Sequence, residues 1–223
     1  MRELSIFADE AGQQDMSDGY YLLTLVVHDQ SNPIGPHIEE YERQLRVGGL
    51  PDIPLHMVCL LHGRGDYEGL DPHTRKGLLS RFNAFVRGLP ISYHTFSYSS
   101  YDVGGVRDLS ARMRRDLVNF VYERFESFQS FDRVVVFYDE GQQAVTRALH
   151  EAFDFMLGDG TVEYRKLRYQ DRRLSQVADY LSSIELAAMR YAAGTDSSTY
   201  RKFYGLKGDL RRNYLKQVRR KLI

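Results

Sequence analysis

Tryptophan is missing from this 223-residue chain, and cysteine occurs once, as Cys59. A lone cysteine excludes an internal disulfide, so a reducing cytoplasm is the expected compartment. Cys59 lies among Met57, Val58, Leu60 and Leu61 and reads as a small buried hydrophobe. No apolar run approaches the ~20 residues that a membrane helix needs, so no membrane partner is expected. Met1-Arg2-Glu3-Leu4 runs straight into a strand pattern and lacks the apolar core of a signal peptide. Zinc-finger spacings, a Walker loop and an aromatic RNP stretch are all absent. Those absences exclude the most recognisable nucleotide- and nucleic-acid-reading modules.

Net charge is also absent, because 30 Lys and Arg balance 30 Asp and Glu. The balance is uneven along the chain. Residues 201–223 hold nine bases and one acid, Asp209, which leaves 21 bases and 29 acids in the first 200. A local basic patch matters more to an anionic partner than the total does.

Aromatic bulk is plentiful, with 16 Tyr and 12 Phe. Hydrophobic residues at 43% and charged residues at 27% fit an ordinary globular protein of one large domain.

Residues 4–9 alternate and then end on acids, which predicts a short strand. Gly12 to Gly19 reads as a polar turn. Tyr20 to Val27 reads as a buried strand that pairs antiparallel with the first. Ile38, Tyr41 and Leu45 predict a helix over 34–47 that stops at Gly48-Gly49. Leu50 to Gly69 reads as irregular. Asp71 as N-cap and Pro72 in the first turn open the next helix, which Gly88 and Pro90 end. Ile91 to Tyr98 alternates as a strand, and Leu109 to Phe128 reads as one long helix. Val134 to Tyr138 is five apolar residues in a row, as in a central strand covered on both faces. Gln142 to Leu157 is a helix, Val162 to Leu167 a strand, and Leu174 to Ala193 a helix stopped by Gly194. Thr195 to Gly208 reads as a loop. Asp209 is expected to cap a basic last helix over 209–222 with stripe Leu210, Tyr214, Val218 and Leu222. Together these predict an α/β fold: a mixed sheet flanked by helices, opening with an antiparallel hairpin.

The chemistry gathers on acids. Phe7-Ala8-Asp9-Glu10 is echoed by Phe137-Tyr138-Asp139-Glu140. Side chains alternate along a strand, so Asp9 points as Phe7 does, and Asp139 as Phe137 does. Glu10 and Glu140 point away, unless a turn brings one back. Both aspartates are expected at the C-terminal ends of their strands, outside which ligands of such sheets collect. Two carboxylates side by side repel unless a cation or proton lies between them. Oxygen-only donors suit Mg²⁺ or Mn²⁺. The plainer alternative is that acids solvate strand ends and cap the next helix.

On a helical wheel Asp179 falls nearly opposite the stripe Leu174, Val177, Ala178, Leu181 and Ala188. It therefore sits either on a solvated face or on a face that packs closely through small serines. Glu185 falls on the apolar stripe, as a secondary ligand or a core salt bridge. Arg165, Lys166, Arg168, Arg172 and Arg173, together with the tail and its Arg211 and Arg212, could track a phosphate backbone; the alternative is a solvated helix face.

These residues resemble a bacterial family, domain of unknown function 3800. Asp9-Glu10-Ala11-Gly12 is similar to its opening Asp-Glu-Ser-Gly, with Ala11 in place of Ser. Leu55-His56 resembles its mid-chain apolar-His motif, with Pro54 where an acid often stands. Tyr138-Asp139-Glu140 matches its later strand, and the run Asp171 to Tyr180 its Gln-x-Ala-Asp helix. Lys202-Phe203-Tyr204-Gly205 and Asn213-Tyr214-Leu215-Lys216 resemble its tail. The resemblance spans nearly the whole chain. It implies a single ribonuclease H-like domain over 1–223, with a helical and loop insertion around 31–90. In that fold, acids on the first strand, the fourth strand and a late helix bind metal, which places Asp9, Asp139 and Asp179 as ligands of Mg or Mn. The implied function is a metal-dependent nuclease or phosphodiesterase. Glu10, His56 and Gln176 are its candidate catalytic residues, His56 as proton carrier and Gln176 as an orienting group; the plainer alternative is that His56 is a local hydrogen-bonder of its loop and Gln176 has no role at a site. The alternative is a catalytically inactive nucleic-acid- or protein-binding regulator on the same fold.

Overall fold

A computed structural model describes residues 2–139, 141–158, 160–166 and 173–223. Strands β1 (Glu3–Gly12), β2 (Tyr20–Asp29), β3 (Ser92–Ser99), β4 (Arg133–Tyr138) and β5 (Val162–Lys166) form one sheet in the order β3-β2-β1-β4-β5. β1, β2 and β3 pair antiparallel, while β4 and β5 run parallel to β1. That order and those directions give a mixed α/β sheet flanked by helices and opened by an antiparallel hairpin, as expected.

The alternation seen in the sequence sorts the strand side chains into two cores. Phe7, Val135 and Phe137 face one side, where they meet helices α1 (Gly35–Val47), α2 (Met57–His62), α3 (Pro72–Gly88) and α7 (Arg173–Ala193). Ile6, Ala8, Val134, Val136 and Tyr138 face the other side, under α4 (Val106–Glu123), α5 (Phe125–Gln129) and α6 (Gln143–Leu157). Phe7 and Phe137 are register partners, and their rings stack at 4.6 Å. Buried on both faces, β4 needs its unbroken apolar run.

Several boundaries differ from expectation, each for a local reason. β1 continues to Gly12, so Asp9 lies inside the strand, opposite Thr24, and not at its end. Leu50–Gly69 is not wholly irregular. It contains α2 and a 3₁₀ turn at Gly65–Tyr67, segments too short to display a period. The long helix breaks at Arg124 into α4 and α5. Thr195–Gly208 contains α8 (Ser198–Tyr204), whose N-cap Ser197 accepts from the Tyr200 N–H. The last helical run starts at Lys207. Asp209 thus sits inside its first turn and accepts from the Leu206 N–H, so it is not the N-cap. A π turn over Arg211–Leu215 interrupts that run. Asp71 does cap α3, accepting from the His73 and Thr74 N–H groups. Cys59 is only half-buried. The predicted residue Leu167 lies outside the described residues. No described helix is long and apolar enough to cross a membrane.

Candidate carboxylate site

Three distant elements deliver the acids. Asp9 comes from β1, on the same face as Phe7. Asp139 is the first residue after β4, two beyond Phe137. Asp179 comes from α7, which packs across β1 and β2. Small residues permit that approach: Ala178 and Ser182 are fully buried on the helix. α7 is covered nearly all round, so the solvated-face alternative for Asp179 does not hold, and its side chain is only 14% exposed.

The acids act on one another. Burial holds the Asp9 carboxyl well above the usual carboxylate range, and the charges of Asp179, Glu10 and Asp139 push it further in the same direction. Glu10 is raised to about 7, first by burial and then by Asp139. Asp179 is raised by burial. His56 and the Met57 N–H pull the other way. Among the described residues none of Asp9, Asp139 and Asp179 pairs with an arginine or lysine. Asp179 Oδ2 accepts from the Met57 N–H at 2.8 Å and faces His56 Nδ1 at 3.5 Å. Asp139 Oδ1 accepts from the Gly141 N–H at 2.8 Å. Glu10 Oε1 accepts from the Tyr138 hydroxyl at 3.1 Å, and its Oε2 is buried with no hydrogen-bond partner.

The donor set is oxygen-rich, mutually repelling and partly orphaned, which fits a hard divalent cation. As the side chains stand, no three His, Cys, Asp or Glu among the described residues close into a metal-ligand group. Glu140 lies outside the described residues.

The other candidates divide. His56 is the N-cap residue of α2, beside Asp179 and 38% exposed, so it can reach a ligand there. Gln176 is buried. Its Oε1 accepts from the Leu55 N–H at 3.1 Å and from Arg173 at 3.3 Å, so it fixes the segment that carries His56 and does not orient a ligand in open space. Glu185 is no metal ligand: it accepts from both Arg219 nitrogens, at 3.0 and 2.6 Å, and from the Tyr93 hydroxyl at 2.8 Å. Of its two alternatives, the core salt bridge is the one found. Arg173 turns inward, bound to Asp52 at 2.7 Å and to Glu42, and lies over the Tyr41 ring; it offers no free cation to a phosphate. Arg165 is paired with Glu163. Arg168 and Arg172 lie outside the described residues. In the tail, Arg212 is held by Asp209 at 2.7 Å. Arg211 and Lys216 are exposed. Gly208, Arg211, Arg212, Leu215, Lys216 and Arg219 line a shallow groove of about 410 Å³ on that helix.

No protein-family model and no curated protein matches the chain. Among solved structures it is similar to the ribonuclease H2 from Pyrococcus horikoshii OT3. The two share 13% identity over 94% of this chain and 99% of that one, with a TM-score of 0.37. The strand order and directions described above stand without that likeness.

One set of residues escaped sequence reasoning. Tyr138, Gln142 and Tyr21 tie the acid-bearing strands together from the face opposite Asp9. The parity of Tyr138 with Glu10, both one step out of phase with the aspartates, was the available signal.

Proposed function

We propose that this chain is a divalent-metal-dependent nuclease or phosphodiesterase, and that it belongs with the domain of unknown function 3800 family that its motifs resemble. The observation that carries the reading is that carboxylates from β1, the end of β4 and α7 lie near enough to repel one another, with no arginine or lysine of the described residues paired to them. Apposed buried acids cost free energy, and a bound cation removes that cost.

In this reading Asp9, Asp139 and Asp179 hold Mg²⁺ or Mn²⁺, with Glu10 behind them. When bound, such an ion activates water and stabilises a departing phosphodiester oxygen. The chain's own part is to place groups. The Met57 N–H and His56 fix the orientation of the Asp179 carboxylate. His56, partly open to solvent, is placed to give a proton to a leaving oxygen or take one from water. Arg211 and Lys216 supply exposed cations for a phosphate backbone, a contact that weakens with salt.

The test uses single- and double-stranded DNA and RNA with Mn²⁺, alongside melting curves. The wild type should cleave at least one of these, and Mn²⁺ should raise its melting temperature. Asp139→Asn should lose both responses. Cleavage that survives Asp139→Asn unchanged sinks the proposal. Salt-sensitive binding without metal-dependent cleavage would instead support the inactive regulator.

A further inference from the structure

The turn that carries Asp139 is fastened from the reverse face of the sheet. Its first residue accepts from the Gly141 N–H. Its last, Gln142, donates its backbone N–H to the Tyr138 hydroxyl at 3.0 Å. The Gln142 side-chain oxygen accepts from the Tyr21 hydroxyl of β2 at 2.8 Å. The Tyr138 hydroxyl in turn donates to Glu10 Oε1 on β1. One phenol oxygen therefore joins β1, the end of β4 and the start of α6, and a second anchors the same turn to β2. Tyr21 is fully buried and Tyr138 nearly so, which holds both hydroxyls in one geometry.

We propose that Tyr138, assisted by Tyr21, is a positioning residue for the carboxylate site: it sets where Asp139 stands relative to Asp9. This rests on the metal-site reading above. Asp9 and Glu10 are consecutive, so a bond that fixes Glu10 also fixes the stretch of β1 presenting Asp9. The same phenol holds the turn presenting Asp139. Removing the hydroxyl releases the turn from β1 and leaves the Gln142 N–H and Glu10 Oε1 without their shared partner. Groups that orient metal ligands without touching the ion are worth about 10–100-fold in metal affinity.

The experiment is an Mn²⁺ titration by calorimetry on the full chain, comparing wild type, Tyr138→Phe, Tyr21→Phe, Asp139→Asn and Tyr164→Phe. Tyr164 is the control for loss of a partnered tyrosine hydroxyl on the same face of the sheet as Tyr138, because it bonds Asp154 near the C-terminal end of α6 from the edge strand β5, and not the turn that carries Asp139. Tyr138→Phe should raise the Mn²⁺ dissociation constant about 10-fold or more. Tyr21→Phe should raise it less, and Tyr164→Phe should leave it unchanged. Circular dichroism before titration checks that each variant is folded. If the wild type binds, Asp139→Asn does not and Tyr138→Phe binds as the wild type does, the clamp is overturned while the metal site stands. An equal loss in Tyr164→Phe overturns it too. A wild type that takes up no Mn²⁺ overturns both.

Discussion

Replacing Glu10 with glutamine should stabilise the metal-free protein, and only at neutral or alkaline pH. In the folded chain Glu10 titrates near 7 against an ordinary value of 4.5, chiefly because it is buried and secondarily because Asp139 is close. A group whose folded pKa is raised binds its proton more tightly when folded. Stability is therefore complete below about 4.5 and falls as pH climbs towards 7, where the folded group at last ionises. The gap corresponds to about 3 kcal/mol as an upper figure. The substituted amide cannot ionise, and its carbonyl oxygen can still accept from Tyr138. The comparison is urea unfolding of wild type and Glu10→Gln in EDTA, from pH 4 to pH 8. The two should differ little at pH 4. By pH 8 the variant should lead by roughly 2–3 kcal/mol. Any fixed cost of burying the amide appears at both ends and cancels in the difference. A lead that is the same at pH 4 and pH 8, or that shrinks as pH rises, refutes the account of Glu10 as a strained acid.

Two further outcomes follow from the packing. Arg219→Met should destabilise the protein by about 2–3 kcal/mol at pH 7, less than for a fully buried pair because Arg219 is half exposed; Glu185→Gln in the same background should recover part of the loss in a urea titration. Gly12→Ala should lower the melting temperature by at least about 4 °C, because Gly12 has φ +94° and an added Cβ would lie 2.1 Å from the Tyr20 carbonyl oxygen; a scanning calorimetry trace matching wild type would show that the β1–β2 connection yields.

Much of the sheet could be read directly from period and composition. β4 announces itself as five apolar residues, and β1 and β2 as patterned runs on either side of a glycine-bounded turn. The repeated Phe-x-Asp predicts two acids on one face; its two phenylalanines are register partners, while Asp139 stands just past the end of β4. Asp179 was harder. A helical wheel finds a face by contrast, and α7 has little contrast because it is enclosed nearly all round. The family resemblance singled out Asp179 where periodicity did not. α2 and α8, at six and seven residues, are shorter than the windows in which a helical period emerges. The partners of Glu185 and Arg173 were hidden for another reason. Arg219 lies 34 positions along from Glu185, and Asp52 lies 121 from Arg173. Nothing in local composition specifies which arginine is consumed by a distant acid and which remains free.

The path of the chain through this site also sets a timetable. Asp9 is made before the strand end bearing Asp139 and the helix bearing Asp179, both of which come more than a hundred residues later. During synthesis the early hairpin can form with its acid still hydrated and unopposed. The electrostatic penalty is complete once α7 leaves the ribosome and lies down across β1. A nascent chain stalled before that helix would thus be spared the crowding of charge that the finished protein must bear.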